Sequence, residues 1–174
     1  MKSFIIQKIS ANDLYELQKI SKQTFYETFS QKNSEDNMQK YLDKNFSISK
    51  LTDEILGNSK FYFAIINGTI AGYLKINFEN SQTELKYKNS VEIERIYVLK
   101  KFQKNKIGQS LIDLAIKLGK RENAEFLWLG VWEDNLNAIN FYKKNGFAEF
   151  DKHIFLLGEE KQTDIMMKLN LKSL

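Results

Sequence analysis

The sequence predicts a single mixed α/β domain over residues 1–174: a mostly antiparallel sheet with a central parallel βαβ pair, flanked by helices. Three observations support this. Apolar runs of strand length alternate with segments whose apolar residues recur at helical spacing. Two strand-like runs, 91–98 and 126–131, are joined through one helical segment, which makes them parallel with a right-handed crossover. The other strands follow one another through short turns, which makes them antiparallel.

Residues 4–9 read as a first strand. Ser10 offers its hydroxyl to a free helix amide, and Asp13 reaches back, as in a capping box. Leu14, Leu17, Ile20, Phe25 and Phe29 follow at roughly helical spacing. Ser34 is placed to cap a short helix carrying Tyr41 and Leu42. Ser47 caps another, with Ile48, Leu51, Ile55 and Leu56, that stops at Gly57. Residues 61–66 have high strand propensity. Asn67-Gly68 is a two-residue hairpin turn, because both residues tolerate positive φ, and 70–78 returns. Polar residues 79–90 make a loop before the strand 91–98. Ile107, Leu111, Leu114, Ala115 and Leu118 mark the crossover helix. Residues 126–131 are almost continuously apolar, as expected of a strand covered on both faces. A short helix over 135–145 ends at Gly146, and 147–156 with 163–169 form a final antiparallel pair.

Composition narrows the chemistry. At 43% hydrophobic the chain can fill a core, yet no apolar stretch reaches the roughly twenty residues a membrane span needs. Residues 1–9 are too short and polar for a signal peptide. There is no Cys, hence no disulfide, thiol nucleophile or thiolate metal site. These features suggest a soluble, cytoplasmic protein without a metal. The single His, His153, reads as an ordinary strand residue, and no Gly-x-Ser-x-Gly elbow accompanies it. The charge of +4 suits a polyphosphate ligand, but no clustered basic recognition helix marks a direct nucleic-acid binder.

The informative segment runs from Glu94 to Gly108. A strand ends, a basic loop with Gln103, Lys104, Asn105 and Lys106 follows, and a helix starts near Ile107. First-turn amides and the positive end of the helix make an anion site. Gly108 lets a ligand approach the backbone. The plain alternative is a strand-to-helix loop with solvated lysines.

The loop resembles the pyrophosphate-binding motif of the GNAT N-acetyltransferase superfamily, Gln/Arg-x-x-Gly-x-Gly/Ala, which follows a strand ending in a triplet like Ile96-Tyr97-Val98. Gln103, Ile107 and Gly108 fit; Lys106 stands where the family usually has Gly. Lys106 either adopts a backbone conformation without positive φ or turns its ammonium toward a phosphate. Downstream, residues 135–147 are similar to the family's Asn-x-x-Ala-x-x-x-Tyr-x-x-x-Gly-Phe motif. Thr24-Phe25, residues 91–97, residues 128–133 and Gln162-Thr163-Asp164 resemble the PaiA-type polyamine acetyltransferases, and the likeness spans essentially the whole chain.

The resemblance implies the GNAT fold and direct acetyl transfer, in a ternary complex, from acetyl-CoA to a primary amine of spermidine or spermine. It assigns Ile96, Tyr97 and Val98 to the thioester and pantetheine. It assigns Gln103, Lys104, Asn105, Lys106, Ile107, Gly108 and Gln109 to the pyrophosphate. Asn135, Asn137 and Lys144 complete the cofactor side, and Tyr142 protonates the leaving thiolate.

An alkylammonium has a pKa of about 10.4, so roughly one amine in a few thousand is neutral at pH 7. A proton acceptor is therefore needed. Glu92 and Glu94 alternate on the central strand and share one sheet face unless a bulge intervenes. Glu94 is preferred, because the superfamily's polyamine enzymes resemble it there; Glu92 is second. The competing reading pairs them with Arg95 or nearby lysines. Helices over 11–57 are expected to cover the acceptor, with Phe25, Tyr26, Glu27, Phe29 and Trp132 as wall candidates, each equally readable as core packing. Two other functions stay open: acetylation of a protein or another small amine, and a non-catalytic acetyl-CoA-binding regulator. A homodimer through the final strands is left undecided.

Overall fold

Seven strands form one sheet in the order β1-β2-β3-β4-β5-β7-β6. They are β1 (Phe4–Lys8), β2 (Ser59–Ile66), β3 (Thr69–Phe78), β4 (Ser90–Val98), β5 (Phe126–Trp132), β6 (Ala148–Leu157) and β7 (Glu160–Asn170). The helices are α1 (Leu14–Phe29), α2 (Glu35–Asn45), α3 (Ile48–Leu56), α4 (Ile107–Arg121) and α5 (Leu136–Lys144). This computed structural model describes residues 4–84, 86–157 and 160–172; Leu85, in the loop expected over 79–90, lies outside them. The β4–β5 pair is parallel and every other pairing antiparallel, as the connections predict.

Local chemistry sets the element ends. Ser10 and Asp13 form the full capping box, followed by a single 3-10 turn before α1. The Ser34 and Ser47 hydroxyls accept from the Asn37 and Lys50 amides and start α2 and α3. Asn67 and Gly68 take φ of 48° and 72°, so β2 and β3 close as a tight hairpin. Gly57 ends α3 with φ of −82°, so this stop does not use the left-handed conformation that favours glycine.

The sheet separates two packing layers. Leu74, Ile76, Ile93, Leu127 and Leu129 point to one face, against Leu111, Ile112 and Ala115 of α4 and Tyr142 of α5. Phe61, Phe63 and Tyr73 point to the other, against Leu17 and Ile20 of α1 and Leu51 of α3. A third cluster joins Phe25 and Phe29 of α1 to Met38 and Leu42 of α2, Phe46 and Leu157. Each fully buried side chain of this size contributes roughly 1.5–3 kcal/mol.

Two irregularities open the centre. The β4–β5 ladder holds only from Ser90–Phe126 to Glu92–Trp128, and beyond it the β5-facing edge of β4 is unpaired. The β3–β4 register jumps from Lys75–Arg95 to Ile76–Ile93, which makes Glu94 the extra residue of a bulge. On the other edge Gly72 holds β3 close to β4: a Cβ there would overlap the Tyr97 carbonyl oxygen.

Candidate active site

A cleft of about 1100 Å3 lies where β4 and β5 part. On one side are the loop after β4 and the N-terminus of α4. Lys104 and Lys106 are exposed, with φ of +66° and +62°. Lys106 thus takes the left-handed conformation that glycine would occupy, which removes the expectation of a path without positive φ and costs about 1 kcal/mol. The first backbone bond of α4 runs from the Ser110 amide to the Lys106 carbonyl. The amides of Ile107, Gly108 and Gln109 therefore lack intrahelical acceptors and are oriented for an anion. The Asn105 amide group braces the loop by donating to the Phe102 and Gln103 carbonyls, and the Gln103 side chain donates to the Val98 carbonyl at 3.2 Å. Free amides, two flanking lysines and the unpaired edge of Ile96 to Val98 fit an extended ligand bearing a pyrophosphate. Among the described residues no three His, Asp or Glu side chains cluster as metal ligands do.

Across from the loop, the Asn135 side chain accepts from the Ala138 amide and caps α5. Tyr142, about two turns on, is buried between Phe141 and Phe147 and reaches the cleft wall. Burial pushes its hydroxyl well above the usual phenol pKa, so it is always protonated and acts as a donor.

The floor holds a charged network. The bulge turns Glu94 and Arg95 to the same face as Glu92. Glu94 takes an ion pair from Lys75 at 2.5 Å, another from Arg95 at 2.9 Å, and a hydrogen bond from Asn77 at 2.6 Å. Glu54 of α3 clasps Arg95 with both oxygens, at 3.1 and 3.2 Å, and pairs with Lys75 at 2.9 Å. Burial alone would raise Glu94, but Arg95 and Lys75 outweigh it and hold the carboxyl at about 2. Glu92 differs. Burial, then the Glu94 charge, raises its pKa, only partly offset by hydrogen bonds from the Thr83 amide and hydroxyl and from Asn77.

The other wall is aromatic. Phe25 stacks on Tyr41 at 4.4 Å, and Phe29 meets Trp132 at 5.4 Å. Of the residues singled out from sequence, Phe25, Phe29, Glu92, Glu94, Ile96, Tyr97, Val98, Gln103, Lys104, Lys106, Ile107, Gly108, Gln109, Trp132, Asn135, Asn137 and Tyr142 line the cleft. Asn105, Lys144, Tyr26 and Glu27 do not. The Glu27 carboxylate instead accepts from the Lys100 amide at 2.9 Å, and the Tyr26 hydroxyl from α1 donates to Glu35. Sequence reading missed Tyr41, Phe46, Thr83 and Asp164, which come from elements distant along the chain. It also set His153 aside, although this residue lines the cleft beside Asp164. The last was read only as part of the Gln162-Thr163-Asp164 likeness, with no role attached.

A model of the acetyltransferase (GNAT) family matches residues 14–147. The chain belongs to the GNAT family. This GNAT protein is 43% identical, over 164 residues, to an uncharacterized N-acetyltransferase in the pepI 3′ region of Lactobacillus delbrueckii subsp. lactis, covering 94% of this chain and 95% of that protein. It is 29% identical over 154 residues to the spermidine N(1)-acetyltransferase of Thermoplasma acidophilum, covering 86% and 91%. Its fold matches the crystal structure of PaiA N-acetyltransferase from Thermoplasma acidophilum in complex with coenzyme A, with a TM-score of 0.80 at 24% identity, over 97% and 99% of the two chains. The GNAT membership makes it an N-acetyltransferase that uses acetyl-CoA.

Proposed function

We propose that this acetyltransferase acetylates a primary amine of spermidine or spermine, by direct transfer in a ternary complex. The observation behind this reading is the acceptor side of the cleft. Its carboxylates Glu92, Glu94 and Asp164 lie among aromatic rings, Arg95 and the neighbouring Lys75 are matched by Glu54 and Glu94, and Lys50, the other cation on this side, donates to Asn45. That surface favours an alkyl chain with several ammonium groups over a neutral or acidic acceptor. The likeness to the spermidine N(1)-acetyltransferase supports the same class.

Glu92 takes the role of proton acceptor, in preference to Glu94. A carboxylate held at about 2 by two cations has little affinity for a proton, whereas burial makes Glu92 more basic. Glu92 draws a proton from the acceptor ammonium, directly or through water. The freed nitrogen attacks the thioester carbonyl, whose oxygen is polarised by an amide on the open edge of β4. As the C–S bond breaks, the Tyr142 hydroxyl donates a hydrogen bond to the departing sulfur, and the second proton lost by the nitrogen passes through water to that thiolate, leaving the amide and free CoA thiol. Its raised pKa means that it stabilises the thiolate chiefly as a hydrogen-bond donor.

The test is release of free thiol from acetyl-CoA with spermine, spermidine, putrescine and a lysine-bearing peptide as separate acceptors. Release with the polyamines alone is expected. Release with the peptide alone would discard the polyamine assignment. No release with any amine, together with acetyl-CoA raising thermal stability, would favour a regulator that binds acetyl-CoA without turnover.

A further inference from the structure

Asp164 of β7 sits opposite Trp132 of β5, and its side chain is 16% exposed. It lines the cleft on the side of the aromatic wall. The contrast with Glu94 is in its partners. Glu94 is saturated by Lys75, Arg95 and Asn77. Among the described residues, the only ion-pairing group near the Asp164 carboxylate is His153, whose Nε2 is 3.7 Å away, beyond hydrogen-bonding distance. The other ring nitrogen of His153 faces the Met166 sulfur at 2.9 Å.

The neighbouring strand keeps this carboxylate open to the cleft. Gly130, paired in the strand beside it, has no side chain, and a Cβ there would come within 3.2 Å of the Asp164 Oδ2 and 3.5 Å of the His153 Cε1. The carboxylate therefore leans over the glycine into space that any other residue would fill. Beside it lies the Trp132 ring, and that ring already carries an alkylammonium: Lys32 Nζ stands 5.2 Å from its centroid.

We propose that Asp164 is the specificity-determining residue for a polycationic acceptor, binding a second ammonium of the amine whose reacting nitrogen lies against Glu92. This rests on the polyamine reading and adds to it the residue that tells a polyamine from a monoamine. Tyr41 connects the two positions, lying within electrostatic reach of Arg95 and Glu94 on one side and Asp164 on the other. Electrostatics agrees: burial, with a smaller contribution from Glu133, leaves Asp164 titrating at about 6 despite the opposing pull of His153. The free protein holds an under-compensated carboxylate that a bound ammonium would match.

The experiment measures kcat and KM for spermidine and for hexylamine, with wild type, Asp164→Asn, Asp164→Glu and Gly130→Ala. Loss of one charged contact is expected to raise the spermidine KM about tenfold in Asp164→Asn. Spermidine kcat and the hexylamine parameters should stay within about twofold, and Asp164→Glu should recover part of the affinity. Gly130→Ala, which crowds the carboxylate but keeps its charge, should raise the spermidine KM severalfold. Asp164→Asn should also melt no lower than wild type, since it removes a destabilising charge. An unchanged spermidine KM in Asp164→Asn, or equal losses with both acceptors, would overturn the assignment while leaving the polyamine reading intact. Wild type that accepts a peptide but no polyamine would overturn both.

Discussion

The two sides of the cleft are built differently. On the proposed donor side, Gln103 to Gln109 and Asn135 to Tyr142 are short contiguous segments that offer backbone amides, helix ends and one hydroxyl. On the proposed acceptor side, Phe25, Tyr41, Glu92, Trp132 and Asp164 come from α1, α2, β4, β5 and β7, and the groups they offer are side chains whose properties depend on neighbours. The donor side meets the same invariant ligand and needs only local geometry. An acceptor side must recognise one amine among many, and the residues proposed for it owe their burial and charge to distant segments meeting.

The largest effect should come from the network under the acceptor side. Arg95→Met leaves Glu54 and Glu94 with Lys75 alone, and should cost about 3–5 kcal/mol in urea unfolding. A loss below about 1 kcal/mol would show that the network is not a structural unit.

On the donor side, Tyr142→Phe deletes only a hydroxyl. Turnover should fall about 100-fold with little change in the KM for acetyl-CoA. Unchanged turnover would take Tyr142 out of the chemistry.

The two glutamates separate base from scaffold. Glu92→Gln should lower kcat about 100-fold at pH 7 and recover in part above about pH 9, where free amine is abundant. Glu94→Gln should show a smaller loss without that recovery. The reverse pattern would restore Glu94 as the base.

Asp164 gives a smaller effect with a definite sign. Its folded pKa is raised from 3.8 to about 6, so the native state holds the proton more tightly than the unfolded chain. Its stabilising contribution is full below about pH 4 and is lost as pH rises through 6. Relative to Asp164→Asn, wild type should therefore lose about 2 kcal/mol between pH 4 and 7, followed by thermal unfolding across pH. A flat difference would mean that the carboxylate is not perturbed.

The smallest effect lies in the phosphate loop. Lys106→Gly relieves left-handed strain but loosens the unfolded chain, for a net gain of about 0.5 kcal/mol. If the Lys106 ammonium also meets a phosphate, the same variant will bind CoA more weakly than wild type, and by a larger factor at low salt than at high salt.

The sequence by itself determined the succession of the strands, the parallel β4–β5 pair, the antiparallel β6–β7 pair, the caps at Ser10, Ser34 and Ser47, and the tight turn at Asn67-Gly68, and it singled out Gln103, Gly108, Asn135 and Tyr142, which line the cleft. These depend on nearest neighbours, periodicity and helix ends, which are written in contiguous residues. Tertiary structure decided the rest. The Glu94 bulge turned two successive residues to one face, so that a carboxylate that read as a base became the partner of Arg95 and Lys75. The parting of β4 from β5, the packing of α3 that brings Glu54 to Arg95, and the placement of β7 that sets Asp164 over Gly130 are long-range outcomes. A carboxylate's pKa and partners follow from burial and from charges many residues away, and no local pattern encodes those distances.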